Sequence, residues 1–207
     1  MESFSFETKK VLVFDLDGTI VNLKADWIIL RDILVKNYYE RYKEDCNIDR
    51  ISTCLEEIVK KKDEATLQDF FDIIREFEQK NLEDIEPIEE TIFFINNKEL
   101  FNVREETKIV ILSLNTRNTI IKALKDAKIY NKINFIVGRE DVRKWKPAPN
   151  GLLKIQNHYN INKNEMLFFG DLENDIITGK NAGIKAYYIQ DLIELVRKKK
   201  RYLKLFF

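Results

Sequence analysis

The residues with the most chemical potential in this chain are aspartates placed where apolar runs stop. Val11-Leu-Val-Phe14 is followed at once by Asp15-Leu16-Asp17-Gly18-Thr19. In an extended chain, residues two apart face the same side. Two carboxylates are thus presented together at the end of a strand. One can act as nucleophile or metal ligand, the other as general acid and base. Gly18 allows a sharp turn, and backbone N–H groups in the Gly18-Thr19 segment can hold an anion. An Asp-x-Asp pair alone is a common way to close a strand; the apolar run before it and the Gly-Thr after it argue for a site.

The pattern recurs. Phe168-Phe-Gly170-Asp171 ends a second apolar run in Gly-Asp, and Asp175 follows four residues later, one helical turn on. Four carboxylates on one sheet edge repel. A hard divalent cation removes that cost, and Mg²⁺ suits a site that also takes a phosphate. Helix capping by Asp171 would explain one aspartate, but not the recurrence. Ser113 closes Ile109-Val-Ile-Leu112; its hydroxyl can donate to a phosphate oxygen or merely end the strand. Lys146 precedes Pro147, which favours an extended backbone there, and Pro149 suits a first helical turn. The ammonium can offset crowded carboxylates and grip a phosphate; on that segment alone a solvated lysine is the other reading.

Elements must hold these residues in place. Short apolar runs at 11–14, 109–112, 135–137, 166–169 and 186–189 read as strands buried on both faces. Helix-length segments at 117–127, 149–159, 173–182 and 191–203 separate or follow them. The alternation predicts an α/β chain with right-handed crossovers and a doubly wound parallel sheet. Between Ile20 and Lys108 no strand is expected. Segments 27–42, 51–61 and 66–80 instead show helical periodicity, with Phe70, Ile73, Ile74 and Phe77 on one face. Pro87 stops or starts a helix, and 88–97 reads as helical. A helical insertion therefore follows the first strand.

Composition narrows the partners. Lys plus Arg equal Asp plus Glu at 35 each, so no overall field favours nucleic acid or anionic membranes. Residues 40–90 are acid-rich and 191–207 basic, but neither is an unbroken run of like charge; solvated helix faces account for them. Cys46 and Cys54 have no histidine cluster beside them, which argues against zinc; as reduced thiols they suit a cytoplasmic protein. No apolar stretch approaches the roughly 18 residues of a membrane span, and Met1–Lys10 lacks a signal-peptide core. No phosphate-binding Gly-x-x-x-x-Gly-Lys loop and no Gly-x-Gly-x-x-Gly turn is present.

Residues 11–22 and 109–190 resemble the four sequence motifs of the haloacid-dehalogenase-like (HAD) hydrolase superfamily. Phe14-Asp-Leu-Asp-Gly-Thr-Ile20, Lys146-Pro-Ala-Pro149 and Gly170-Asp-Leu-Glu-Asn-Asp175 are most similar to its phosphoglycolate-phosphatase-like branch. The resemblance implies a Rossmann-like sheet of order 5-4-1-2-3 with an inserted helical cap. The core would then be 1–21 and 87–207, and the cap 22–86. It implies Mg²⁺-dependent hydrolysis of a small phosphorylated metabolite, phosphoglycolate-like, by a monomer or homodimer. Asp15 would attack phosphorus to give an aspartyl phosphate. Asp17 would protonate the leaving alcohol and later deprotonate water. Gly18, Thr19, Ser113 and Lys146 would bind the phosphoryl group. Asp15, the backbone carbonyl of Asp17, and Asp171 would bind the metal, with Asp175 supporting the metal shell or Lys146. Relatives often carry a Ser/Thr-Asn pair; here Leu114 intervenes, so Asn115 joins the phosphate set one position late and Thr116 is an alternative hydroxyl. A sugar-phosphate mutase of the β-phosphoglucomutase type is the competing enzyme, although such relatives often have Val where Thr19 stands. A non-catalytic binding module on the same fold is a further alternative.

Other residues invite simpler readings. His158 is the sole histidine and sits mid-helix, away from every motif. Trp27, Tyr38, Tyr39 and Tyr42 have two readings, lining a substrate pocket or, as their helical spacing favours, filling the interior of the insertion; Trp145 suits the packing of its loop. The last helix, with basic residues toward its C-terminus, leaves Phe206 and Phe207 to dock on the core or a second subunit.

Overall fold

The computed structural model describes residues 5–46, 50–81 and 85–204. Strand β1 (Val11–Phe14) is completely buried. It pairs in parallel with β4 (Lys108–Leu112) on one side and β6 (Met166–Gly170) on the other. β5 (Phe135–Val137) and β7 (Ala186–Tyr188) extend the sheet to the order β5-β4-β1-β6-β7. Numbered within this sheet alone and read from the other edge, that is 5-4-1-2-3.

The continuous apolar runs are explained by a two-sided core. Leu12, Phe14, Ile109, Ile111, Leu167 and Phe169 face one cluster. Helices α4 (Glu89–Asn96), α5 (Arg117–Asp126) and α8 (Ile189–Lys204) supply Phe94, Ile120, Leu124, Leu192 and Val196 to it. Val11, Val13, Val110, Leu112, Met166 and Phe168 face the opposite cluster, with Leu152 and Ile155 of α6 (Asn150–Tyr159) and Ala182 of α7 (Glu173–Ala182). Alternate residues of each strand thus serve opposite layers. Truncating a ring such as Phe14 would cost about 3–5 kcal/mol.

The insertion holds α1 (Trp27–Tyr42), α2 (Ile51–Lys60) and α3 (Glu64–Asn81). Asp26 caps α1 by accepting from the N–H groups of Ile28 and Ile29 at 3.0 and 3.2 Å. Leu30, Leu34, Leu55, Ile58, Phe70 and Ile74 form a third apolar cluster. Trp145, from the loop after β5, is buried in that cluster and meets Phe71 edge-on at 6.4 Å.

The expectation of no strand between Ile20 and Lys108 is corrected. β2 (Val21–Leu23) and β3 (Ile85–Pro87) pair antiparallel, with Val21 opposite Pro87 and Leu23 opposite Ile85. Three residues each, centred on Asn22 and Glu86, give too short a pattern to register as period two. Pro87 occupies the end of this strand and leads directly into α4. α8 begins at Ile189 rather than 191, and α3 at Glu64 rather than 66. Tyr38 is buried in the insertion, but Tyr39 is half exposed, because it falls outside the apolar stripe of α1. His158 is exposed and stacks on Phe135. Cys46 and Cys54 are free thiols. No helix among the described residues is long and apolar enough to cross a membrane. Phe206 and Phe207 lie outside the described residues.

Candidate active site

The carboxyl ends of β1, β4 and β6, with the loop after β5, meet at one edge of the sheet, where ligands bind in open α/β folds. A cavity of about 370 Å³ opens there. Asp15, Asp17, Gly18, Ser113, Asn115, Lys146, Asp171 and Asp175 all line it. Thr19 does not: it is fully buried, and its hydroxyl has no hydrogen-bond partner among the described residues.

Lys146 is the electrostatic centre. It is buried, and its Nζ lies 2.9 Å from Asp15 Oδ2 and 2.6 Å from Asp175 Oδ1. Burial opposes its charge, but the two carboxylates outweigh that and hold its pKa above the ordinary lysine value. Burial pushes the Asp15 carboxyl upward, against the pull of Lys146 and the Leu16 N–H, which donates to Asp15 Oδ1 at 2.8 Å. The Asp15 N–H donates to the Phe169 carbonyl at 2.9 Å, which ties the residue to β6. Asp175, in the first turn of α7, accepts from the Leu172 N–H at 3.1 Å. The capping role therefore falls to Asp175 rather than Asp171.

Asp171 carries an anomaly. Its Oδ1 is buried without a hydrogen-bond partner among the described residues. Burial and the nearby Asp175 charge push its pKa up to about 6. Carboxylate oxygens of Asp15, Asp171 and Asp175 lie within 4.8 Å of one another. Three acidic oxygens at that spacing, one of them unpaired, fit a hard divalent cation with oxygen ligands. The Asp17 side chain is outside this group: its Oδ1 accepts from the Leu23 N–H at 2.8 Å. Burial raises the Asp17 pKa, opposed by the Leu23 N–H and the Trp27 indole. Gly18 adopts φ +70°, and a Cβ there would sit 2.3 Å from Asp171 Oδ2. Only glycine permits both the turn and this close approach.

On the β4 side the site is a hydrogen-bond chain that ends on a carboxylate. The Ser113 hydroxyl donates to Asn115 Oδ1 at 2.8 Å, and the Asn115 N–H returns to Ser113 Oγ at 3.1 Å. Asn115 Nδ2 donates to Glu78 of α3 at 3.2 Å. The alternative hydroxyl, Thr116, is bonded to Glu78 instead.

Sequence reasoning did not single out several cavity residues. Arg50, Ile51 and Ser52, at the start of α2, form part of the wall with Trp27 of α1. Arg50 Nη1 donates to Asn174 Oδ1 at 3.4 Å, across to the start of α7. Arg139 also lines the cavity and is buried, with Nε and Nη1 lacking acceptors among the described residues. Its place directly after Gly138, at a strand end, was the available signal.

Comparison with known proteins agrees with this architecture. The family model for haloacid dehalogenase-like hydrolases matches residues 12–189. Pyrophosphatase PpaX of Bacillus cereus is 29% identical over 182 residues, spanning 84% of this chain and 80% of that protein. A predicted phosphoglycolate phosphatase of Haemophilus somnus superposes with a TM-score of 0.60 at 16% identity, covering 88% of each chain. A HAD-superfamily subfamily IA hydrolase of Geobacter sulfurreducens gives 0.53 at 14% identity, covering 94% of this chain and 99% of the other. With the sheet order, the strand-end aspartates and a family match over most of its length, the chain belongs to the haloacid dehalogenase-like hydrolases.

Proposed function

We propose that this hydrolase is a magnesium-dependent phosphatase acting on a small phosphomonoester, with Asp15 as nucleophile. The observation that carries the reading is the buried Asp15–Lys146–Asp175 triad beside the unpaired oxygen of Asp171. Such an arrangement suits phosphoryl transfer, which depends on positioning and charge neutralisation.

An Asp15 oxygen attacks phosphorus, the bond from phosphorus to the leaving oxygen breaks, and an aspartyl phosphate forms. Asp17, whose pKa is raised by burial, gives its proton to the leaving alkoxide. It then takes a proton from water, which attacks the same phosphorus and frees phosphate and Asp15. Ser113, Asn115 and the Gly18 backbone orient the phosphoryl oxygens, and Lys146 offsets their charge. Asp15, Asp171 and Asp175 would hold Mg²⁺, which supplies a Lewis-acid contact to the phosphoryl group and relieves the repulsion among these carboxylates. Thr19, outside the cavity wall, would act only through its backbone in the Gly18-Thr19 turn.

Helices α1–α3, inserted between β2 and β3, act in this reading as a cap (residues 22–86 on a core of 1–21 and 87–207). Trp27, Arg50 and Ser52 come from it to the cavity, so substrate choice falls largely to them. The free thiols support a reducing, cytoplasmic setting. The names of the relatives direct the first substrates to try: pyrophosphate and 2-phosphoglycolate beside simple phosphomonoesters. The test is phosphate release with Mg²⁺ and with chelator, for the native chain and Asp15→Asn. Metal-dependent release, lost in the variant, is expected. Isomerisation of a sugar phosphate without net phosphate release would instead identify a mutase.

A further inference from the structure

Glu78 lies in α3, remote in sequence from every motif, and is fully buried. Its carboxylate gathers donors from one short segment of the core. The Thr116 N–H reaches Oε2 at 3.1 Å, the Thr116 hydroxyl also bonds Oε2, and the Thr119 hydroxyl reaches it at 2.7 Å. Asn115 Nδ2 donates to Oε1 at 3.2 Å. Thr116 is the N-cap of α5 yet makes no side-chain cap bond of its own. Glu78 takes that place from another helix, as an anion at a helix N-terminus. The Arg139 charge is a favourable neighbour.

A cap alone would need only the Thr116 and Thr119 bonds. The Asn115 bond does something else. A side-chain amide has distinct donor and acceptor ends. Glu78 occupies the donor end of Asn115, so the acceptor end faces Ser113 and takes its hydroxyl at 2.8 Å. Without the carboxylate, the amide is free to turn over and the Ser113 hydroxyl loses its fixed acceptor, keeping only the Asn115 backbone N–H as a donor.

We propose that Glu78 is a positioning residue through which the helical insertion sets the phosphate-binding groups Asn115 and Ser113. The role rests on the phosphatase reading of the same site. It acts on ground-state phosphate binding and does not touch the reacting atoms.

A double-mutant cycle tests it. Glu78→Ala, Asn115→Ala and the double variant are compared by calorimetric titration with inorganic phosphate in the presence of Mg²⁺, by KM and kcat for p-nitrophenyl phosphate, and by thermal midpoint. Glu78→Ala should weaken phosphate binding and raise KM about tenfold in the native background, and less than about twofold when Asn115 is already Ala. The fall in midpoint, which reports the cap, should be similar in both backgrounds. An equal loss of phosphate affinity in both backgrounds, or a fall in midpoint alone, overturns the role. If Glu78→Ala does not fold, Glu78→Gln, which keeps the volume and one acceptor oxygen, carries the same cycle. A native chain that neither binds phosphate nor hydrolyses a phosphomonoester overturns the phosphatase reading and this role together. One that binds phosphate while the cycle is additive overturns this role alone.

Discussion

A carboxylate buried behind the β4 wall of the cavity and a cluster of carboxylates lining it are treated in opposite ways. Glu78 is surrounded by donors from Asn115, Thr116 and Thr119. Asp15, Asp171 and Asp175 are crowded together; Lys146 pairs with Asp15 and Asp175 only, and an Asp171 oxygen has no hydrogen-bond partner among the described residues. A buried charge costs several kcal/mol unless it is matched. Full hydrogen bonding makes the first a fastening between the insertion and the core. Incomplete pairing leaves the second short of partners, and on the proposed function it is a receptor that a cation and a phosphate complete.

The contrast can be broken at several points. The largest effect belongs to Asp15→Asn, which on the proposed mechanism removes the attacking carboxylate; kcat should fall at least about 10⁴-fold, read as phosphate release under saturating substrate. Lys146→Met comes next. It leaves Asp15 and Asp175 buried without their counter-charge and should destabilise the fold by about 3–5 kcal/mol, measured by denaturant unfolding, with turnover lost as well. Glu78→Ala strands several donors at the start of α5 and should cost about 1–3 kcal/mol in the same experiment.

Asp171→Asn should cost least. It relieves repulsion, so the metal-free unfolding free energy should stay within about 1 kcal/mol of the native value or rise, while stabilisation by Mg²⁺ disappears. The pH dependence follows the same logic. The folded Asp171 keeps its proton up to about pH 6, against a value near 3.8 when unfolded. The metal-free fold thus binds more protons in that window, and its stability falls as pH rises through it. Added Mg²⁺ should raise the thermal midpoint more at pH 8 than at pH 5, and Asp171→Asn should flatten both trends. A midpoint insensitive to Mg²⁺ at both pH values would remove the receptor half of the comparison.

Much of the receptor half was legible in the sequence. Its aspartates follow directly on continuous apolar strands, and strand ends on one sheet edge converge by topology. The fastening half was not, because it depends on how α3 lies against α5. Glu78 sits in an acid-rich stretch read as solvated helix faces. Yet it falls four residues after Ile74, on the stripe of Phe70, Phe71, Ile74 and Phe77 that is buried. An acid on an apolar stripe was the signal, and only the tertiary approach of α5 gives it a purpose. Arg139 had only its place after Gly138, at a strand end, to mark it; its burial is a matter of tertiary packing. The β2–β3 ribbon was missed because three-residue strands carry almost no periodicity.

That ribbon has a consequence for how the chain can change. Leu23 and Ile85 are register partners in a two-stranded ribbon separate from the parallel sheet, so the chain enters and leaves the insertion side by side. A tight turn between them would close an ordinary hairpin, and the parallel sheet would keep its connectivity. Whatever lies between those two residues can lengthen, shorten or be exchanged during divergence without rethreading the catalytic floor. On the role proposed for Glu78, any replacement must still bring an acceptor to Asn115 and Thr116, which are among the residues that tie the present insertion to the ground beneath it.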